Sequence, residues 1–175
     1  GETWTKLLSG EKYAGVNDIS LDPRNPDIMV ASTWQRHRQV WGYLAGGPES
    51  ALHRSTDGGK TWKKLTGVPE GEGRIGLARS ASEPSVMYAI VEASNNRGGV
   101  YRSGDNGITW ERRGGSFSSG SLYYSEIWVD PRNPERVIAV DVNNLVSNDG
   151  GRTWGNLGES GKHVDNHAIW IDPDD

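Results

Sequence analysis

Ser55-Thr56-Asp57-Gly58-Gly59-Lys60-Thr61-Trp62 recurs as Ser103-Gly104-Asp105-Asn106-Gly107-Ile108-Thr109-Trp110 and as Ser147-Asn148-Asp149-Gly150-Gly151-Arg152-Thr153-Trp154. The shared pattern is S-x-D-x-G-x-T-W, and the chain opens on its second half, Gly1-Glu2-Thr3-Trp4. An octet that returns this often marks a repeat architecture, and the repeat governs the reading of everything between its copies. Each octet is built to turn the chain. Its Asp is placed to accept hydrogen bonds from the amides of its own turn. The Gly two residues later takes positive φ at little steric cost. Thr and Trp then open a strand, with the Trp ring large enough to bury between layers.

A second landmark alternates with the octet. Leu21-Asp22-Pro23-Arg24-Asn25-Pro26 is echoed by Val129-Asp130-Pro131-Arg132-Asn133-Pro134, more weakly by Ser82-Glu83-Pro84-Ser85, and finally by Ile171-Asp172-Pro173. An apolar or alternating run precedes each: 16–21, 74–78, 126–129 and 168–171. A second run follows the first three: 28–31, 86–91 and 137–140. Proline cannot sit in the middle of a ladder, so these pairs mark turns between strands. The repeat reads strand, Pro turn, strand, loop, strand, octet turn, strand. That is an antiparallel four-stranded unit, the form of a propeller blade. The blades are expected at 15–66, 73–114 and 123–158, with a lone outer strand at 1–8 and a lone inner strand at 167–172. No helix of ordinary length is expected.

The octet resembles the Asp-box, or bacterial neuraminidase repeat, of sialidases, xyloglucanase-type glycosidases and sortilin-type receptors. The resemblance covers essentially the whole chain. It implies an all-β propeller in which the box joins the third and fourth strands of a blade. It leaves function open, because the family holds both enzymes and binding proteins. Three complete blades fall below the usual minimum of about four for a closed propeller. The chain is therefore expected to be part of a larger propeller, or to associate with copies of itself. The stretches 34–41, 46–50, 123–126 and 163–167 are also similar to large bacterial Asp-box proteins described as sortilin-like or glycosidase-like.

Composition narrows the chemistry. Gly is 24 of 175 residues and Trp is 8, against one Phe and two Met, which fits many tight turns and Trp-anchored strands. The net charge of −4 with no basic block argues against nucleic acid as a partner. The absence of Cys excludes disulfides and thiolate metal sites. No apolar run approaches the roughly 20 residues of a membrane span. No signal peptide is present, and a chain that opens inside a repeat is expected to have its natural N-terminus elsewhere. No cofactor or metal is expected.

Function belongs where the blades converge. In a propeller the first strand of each blade lines the channel, and the loop between strands two and three returns to the same face. The register places Asn17 and Asp18, Arg74, Tyr123, Tyr124 and Glu126, and His163, Asp165 and His167 at that mouth. The long loop 34–50, with Trp34, Arg36, His37, Arg38, Trp41 and Tyr43, is expected to roof them. Trp34, Arg36 and Trp41 suit sugar faces and hydroxyls, or a peptide; the two Trp equally suit packing of the loop on its own blade. His163-x-Asp165-x-His167 at strand spacing points three side chains one way. It reads as a polar cluster in a wet channel, a ligand contact, an Asp-oriented base, or two imidazoles and a carboxylate that could hold a metal. Arg74 with Glu126 reads either as a carboxylate-binding pair or as an ion pair between blades. Asp57, Asp105 and Asp149, with Trp62, Trp110 and Trp154, are turn and packing residues. The Trp rings are expected to be mostly buried.

The resemblance implies two chemistries, of which this chain carries only parts. Sialidases bring three Arg to one carboxylate and use a Tyr–Glu nucleophile; Arg74, Glu126 and Tyr124 supply fragments of that set. Xyloglucanase-type enzymes use two Asp from opposing propellers, one just after the second strand of a blade. Asp141 sits at a comparable point, and Glu126 and Asp165 are the other carboxylates near the mouth. Glycosidic cleavage needs two carboxylates flanking the bond, so the second must come from outside the chain. The expected function is a carbohydrate-binding or glycan-processing propeller segment, extracellular or periplasmic, with glycoside-hydrolase-like chemistry if any. The alternative is a sortilin-like module that binds protein or peptide without catalysis. A third, plainer reading is a structural propeller scaffold.

Overall fold

The structure is a computed structural model that describes residues 1–8, 10, 12–115, 124–158 and 160–174. Strands and turns carry it, and no helix occurs among the described residues. The first four-stranded sheet holds β1 (Ala14–Asp22), β2 (Asn25–Gln35), β5 (Ala51–Ser55) and β6 (Lys63–Lys64) in that order. The second holds β7 (Ile75–Arg79), β8 (Met87–Val91), β9 (Gly99–Ser103) and β10 (Glu111–Gly114). The third holds β11 (Glu126–Val129), β12 (Val137–Val140), β13 (Leu145–Ser147) and β14 (Gly155–Asn156). Every neighbouring pair is antiparallel, so each sheet is a propeller blade. The first strands β1, β7 and β11 neighbour one another across the blades and form the inner row.

The octets turn the chain by one repeated set of bonds. The Ser55 hydroxyl donates to Asp57 Oδ1 at 2.8 Å and accepts from the Gly59 amide at 2.9 Å. Asp57 in turn accepts from the Thr61 amide at 2.9 Å and its hydroxyl at 2.6 Å. The indole of Trp62 closes the turn onto the Gly59 carbonyl at 2.8 Å. The same bonds recur from Ser103 to Trp110 and from Ser147 to Trp154. Two successive left-handed residues are required. Gly58 and Gly59, Asn106 and Gly107, and Gly150 and Gly151 all have positive φ, where Gly is unstrained and Asn is tolerated.

Blades stack face to face. One core joins Val30 and Leu52 of the first blade to Ile75, Leu77, Met87, Ala89 and Val91 of the second. Another joins Tyr88, Ile90 and Val100 to Ile127, Val137 and Ala139 of the third. β8 lies between two blades and is buried on both faces, which is why 86–91 is apolar without alternation. On the outer face of the first blade Val16, Ile19 and Leu21 are 50%, 49% and 45% exposed, against 1% for Ile75 and 8% for Leu77 in the second. No described sheet covers that face.

Three expectations need correction. Residues 1–8 and 167–172 form no strand. A strand is held by its ladder partner, and neither stretch has one among the described residues. The octet Trp rings are half-buried instead of mostly buried. Trp110 and Trp154 pack against the two inter-blade cores, whereas Trp62 joins neither. The loop 34–50 is not irregular throughout, since it carries a hairpin of β3 (His37–Gln39) and β4 (Gly42–Leu44).

The octet carboxylates make stability acid-sensitive. Bonds from Thr61 hold Asp57 down at about 2, and bonds from Thr153 hold Asp149 below the ordinary carboxylate range. At Asp105 burial pushes upward but is outweighed by bonds from Thr109 and Ser103. Arg24 holds Asp22 low, helped by the Asn106 amide at 2.6 Å. A carboxylate whose folded pKa lies below its unfolded value, about 4, adds stability that is complete above that value and is lost as pH falls through the folded one. The melting temperature should therefore hold near neutrality and fall between about pH 4 and pH 2, and Asp22→Asn should flatten part of that slope. A melting temperature constant down to about pH 2 would contradict the turn chemistry.

Candidate functional site

The pairing register fixes which residues share an end of the blades. Gly15 lies opposite Trp34, Ile75 opposite Val91 and Glu126 opposite Val140. Hence the starts of the inner strands share an end with Trp34, Glu92 and Asp141. The octets are at the other end, where Gly58, Asn106 and Gly150 donate to carbonyls of the Pro turns. The site end is free of the turn network that holds each blade together.

Arg74, just before β7, joins three blades at this mouth. Its Nε donates to Asn17 Oδ1 of the first blade at 3.1 Å, and its Nη1 to the Tyr124 carbonyl at 2.7 Å. Its Nη2 pairs with Glu126 at the start of β11. The side chains are 15% and 31% exposed, so water screens the pair only partly. The guanidinium also lies 6.0 Å from the Trp34 ring. With its donors engaged by protein acceptors, Arg74 fits the inter-blade reading of this pair better than capture of a ligand carboxylate. Asp18 sits beside the cluster. Burial pushes its carboxyl upward, against hydrogen bonds from the amides of Leu77 at 2.8 Å and Ile19 at 2.8 Å.

The second half of the cluster comes from the segment after the third blade. The Tyr124 hydroxyl donates to Asp165, and that bond holds the carboxyl below its ordinary range. His167 Nε2 lies 3.2 Å from the same oxygen, and its ring stacks on Tyr124 with centroids 5.3 Å apart. The Asn166 side chain donates to the carbonyls of Asp141 and Val142, both at 3.0 Å, and ties this segment to the end of β12. Asp141 turns one oxygen back onto the Val142 amide at 2.5 Å. The strand-spacing argument for His163, Asp165 and His167 fails, because Asp165 has φ +84° and interrupts the alternation. Asp165 and His167 meet through that bend, while His163 stands exposed nearby. Tyr123 lies outside the described residues. No group of acidic and His side chains among the described residues is arranged to hold a metal ion.

The loop 34–50 docks on the approach to β7, where the Gly47 amide donates to the Glu72 carbonyl at 3.3 Å and the Gly71 amide to the Ser50 carbonyl at 3.0 Å. Trp34 is half-buried and donates its indole N–H to the Ala45 carbonyl at 2.9 Å, so it packs the loop while presenting a face to the mouth. Arg36 lies over Trp34 and bonds the Tyr43 hydroxyl at 2.9 Å. Trp41 stands at the hairpin tip, 85% exposed. A cleft of about 450 Å³ opens beside Trp34 and Arg36, walled by Tyr13, Val16 and Asn17.

Two mouth residues escape the sequence reading. Glu92 accepts from the Arg74 amide at 3.1 Å; it follows β8 as Asp141 follows β12, so aligning the repeats by strand ends would have found it. Tyr13 precedes β1 much as Tyr124 precedes β11 and stacks on His37 at 3.9 Å. The backbone also marks this end. Tyr13, Ser125 and Asp165 have positive φ, and the remaining non-Gly examples among the described residues are all Asn. Such residues cost on the order of 1–3 kcal/mol and collect where surroundings impose a particular geometry.

No protein-family model matches the chain. It is 30% identical over 193 residues to the xyloglucanase Xgh74A of Acetivibrio thermocellus, across 87% of this chain and 21% of that one. It therefore spans about a fifth of the length of that relative. An ancestral GH74 enzyme superposes with a TM-score of 0.59 at 21% identity, over 91% of this chain and 22% of that one. The YCF48 chain in a complex with D1 peptide superposes with a TM-score of 0.58 at 15% identity, over 86% of this chain and 42% of that one. Both are propellers, and the likeness fixes the fold of this chain as propeller blades.

Removing Arg74 leaves Glu126 without its partner and exposes the Asn17 and Tyr124 acceptors at the mouth. Arg74→Ala should cost about 2–4 kcal/mol by denaturant unfolding. A cost below about 0.5 kcal/mol would show that the three blades do not depend on this contact.

Proposed function

We propose that the chain is a carbohydrate-binding segment of a larger glycan-processing propeller, with the sugar seated at the mouth formed by Arg74, Tyr124, Glu126, Asp165, His167 and the loop 34–50. The carrying observation is the Tyr124–Asp165–His167 group beside the Trp34–Arg36 cleft, because stacked rings next to charged acceptors suit the faces and hydroxyls of a sugar. The identity to a xyloglucanase over most of this chain supports the same class of ligand. On this reading the octets are Asp-boxes that serve structure, and His163 and Trp41 contact ligand from the rim. Neighbouring blades, from the same polypeptide or another copy, cover the exposed Ile19–Leu21 face. An extracellular or periplasmic setting follows from a polysaccharide ligand.

Catalysis asks for more than the described residues offer. A glycosidic acid needs a raised pKa and a second carboxylate across the bond. Among the candidates, Asp165 is held low by Tyr124, Glu126 is paired with Arg74, and Asp141 is turned onto its own backbone. Asp165 suits charge stabilisation or base duty, and Asp141 the position equivalent to a xyloglucanase Asp. The acid must then come from elsewhere, whether Asp18, which burial pushes upward beside the cluster, or a neighbouring blade. The second reading is a sortilin-like peptide site without catalysis, and the peptide-bound YCF48 neighbour supports it.

Calorimetric titration of the chain with xylogluco-oligosaccharides and with an acidic peptide separates the two. Sugar binding that weakens about tenfold or more in His167→Ala, with the melting temperature nearly kept, is the expected result. Peptide binding without sugar binding would replace the carbohydrate reading with its rival.

A further inference from the structure

We propose that the cleft beside β1 recognises a carboxylate-bearing sugar, a hexuronate, with Arg36 as the anion-binding group; this rests on the carbohydrate reading above. The two mouth arginines differ in what they have left to offer. Arg74 is engaged by Asn17, Tyr124 and Glu126. Arg36 is held by stacking instead, its guanidinium 5.2 Å from the Trp34 ring and 5.6 Å from the Tyr43 ring. Its Nε donates to the Tyr43 hydroxyl at 2.9 Å, and its backbone amide to the Tyr13 carbonyl at 2.9 Å. The terminal amino groups meet no acceptor among the described residues. They form a flat, oriented fork of the shape that binds a carboxylate through two parallel hydrogen bonds.

The surroundings select the sign and shape of the ligand. Among the described residues, the cleft of about 450 Å³ has no acidic side chain in its lining, in a chain whose net charge is −4. A second cation, Lys12, lies 4.8 Å from the Tyr13 ring at the rim. Tyr13 and Trp34, whose faces are shared with His37 and Arg36, line the cleft and give a pyranose ring apolar edges to pack against. Because aromatic faces already fix the guanidinium, little side-chain freedom is lost when the anion binds. A neutral sugar would use the walls and leave the fork in water. A hexuronate uses both.

The test is calorimetric titration of the intact chain with oligogalacturonate and with its methyl ester, which keeps the rings and masks the charge. Native protein should bind the free acid roughly tenfold or more tightly than the ester. Arg36→Gln should erase that preference, so that within the variant the free acid binds no more tightly than the ester. Arg36→Lys should keep part of it, as a charge without the fork. Thermal melts establish that both variants are folded. Equal binding of acid and ester by the native chain overturns the inference and leaves the carbohydrate reading standing. So does binding of a neutral xylogluco-oligosaccharide with neither galacturonate form. Failure of every sugar overturns both, whether or not an acidic peptide binds.

Discussion

Three blades meet on one guanidinium. Arg74 reaches Asn17 on one side and Tyr124 and Glu126 on the other, and so sets how the inner strands open at the mouth. Its geometry propagates outward. The carbonyl that Arg74 holds belongs to the residue whose hydroxyl holds Asp165, and Asp165 in turn meets His167. A buried or half-buried pair of this kind adds little net stability compared with apolar packing, but losing one partner is costly. Its value here is positional: it brings groups from distant parts of the chain to one face.

Stability and the proposed recognition face are separated along the blades. At one end the octets satisfy their turns through Ser, Asp and Thr side chains, and they bond to the neighbouring Pro turns. Between the ends, apolar faces of successive blades close two cores. At the other end the backbone is strained at Tyr13, Ser125 and Asp165, and polar groups gather around aromatic rings. A fold that secures its blades from one end can tolerate an energetically costly arrangement at the other, which is how loops at a scaffold's mouth come to carry function.

What the sequence disclosed follows from how local each cause is. The octet is legible because the bonds that shape its own turn lie within eight residues or fewer, and the Pro turns because proline excludes the ladder. The four-stranded blades follow from those two marks. The site was legible in part. Arg74, Tyr124, Glu126, Asp165 and His167 were named, because strand starts converge on one axis, and the structure brings them together. The bend at Asp165 was not legible, since its φ of +84° is imposed by contacts with Tyr124 and the end of β12. Nor was the role of Arg74: a sequence shows a cation, and only the fold shows which acceptors already hold it. The hairpin within 34–50 carries no strong turn signal, as Val40-Trp41 at its tip lacks the Asn or Gly that usually marks one. The terminal stretches 1–8 and 167–172 have strand composition, but a strand also needs a partner.

The claim that the mouth is the binding face, and the octet end is not, is tested most directly by amide hydrogen exchange with and without a saturating xylogluco-oligosaccharide. The account predicts slower exchange on binding at 13–17, 34–36, 74–76, 124–126 and 163–167, with the turns at 55–62, 103–110 and 147–154 unchanged. Protection confined to the octet turns, with the mouth unchanged, would contradict it.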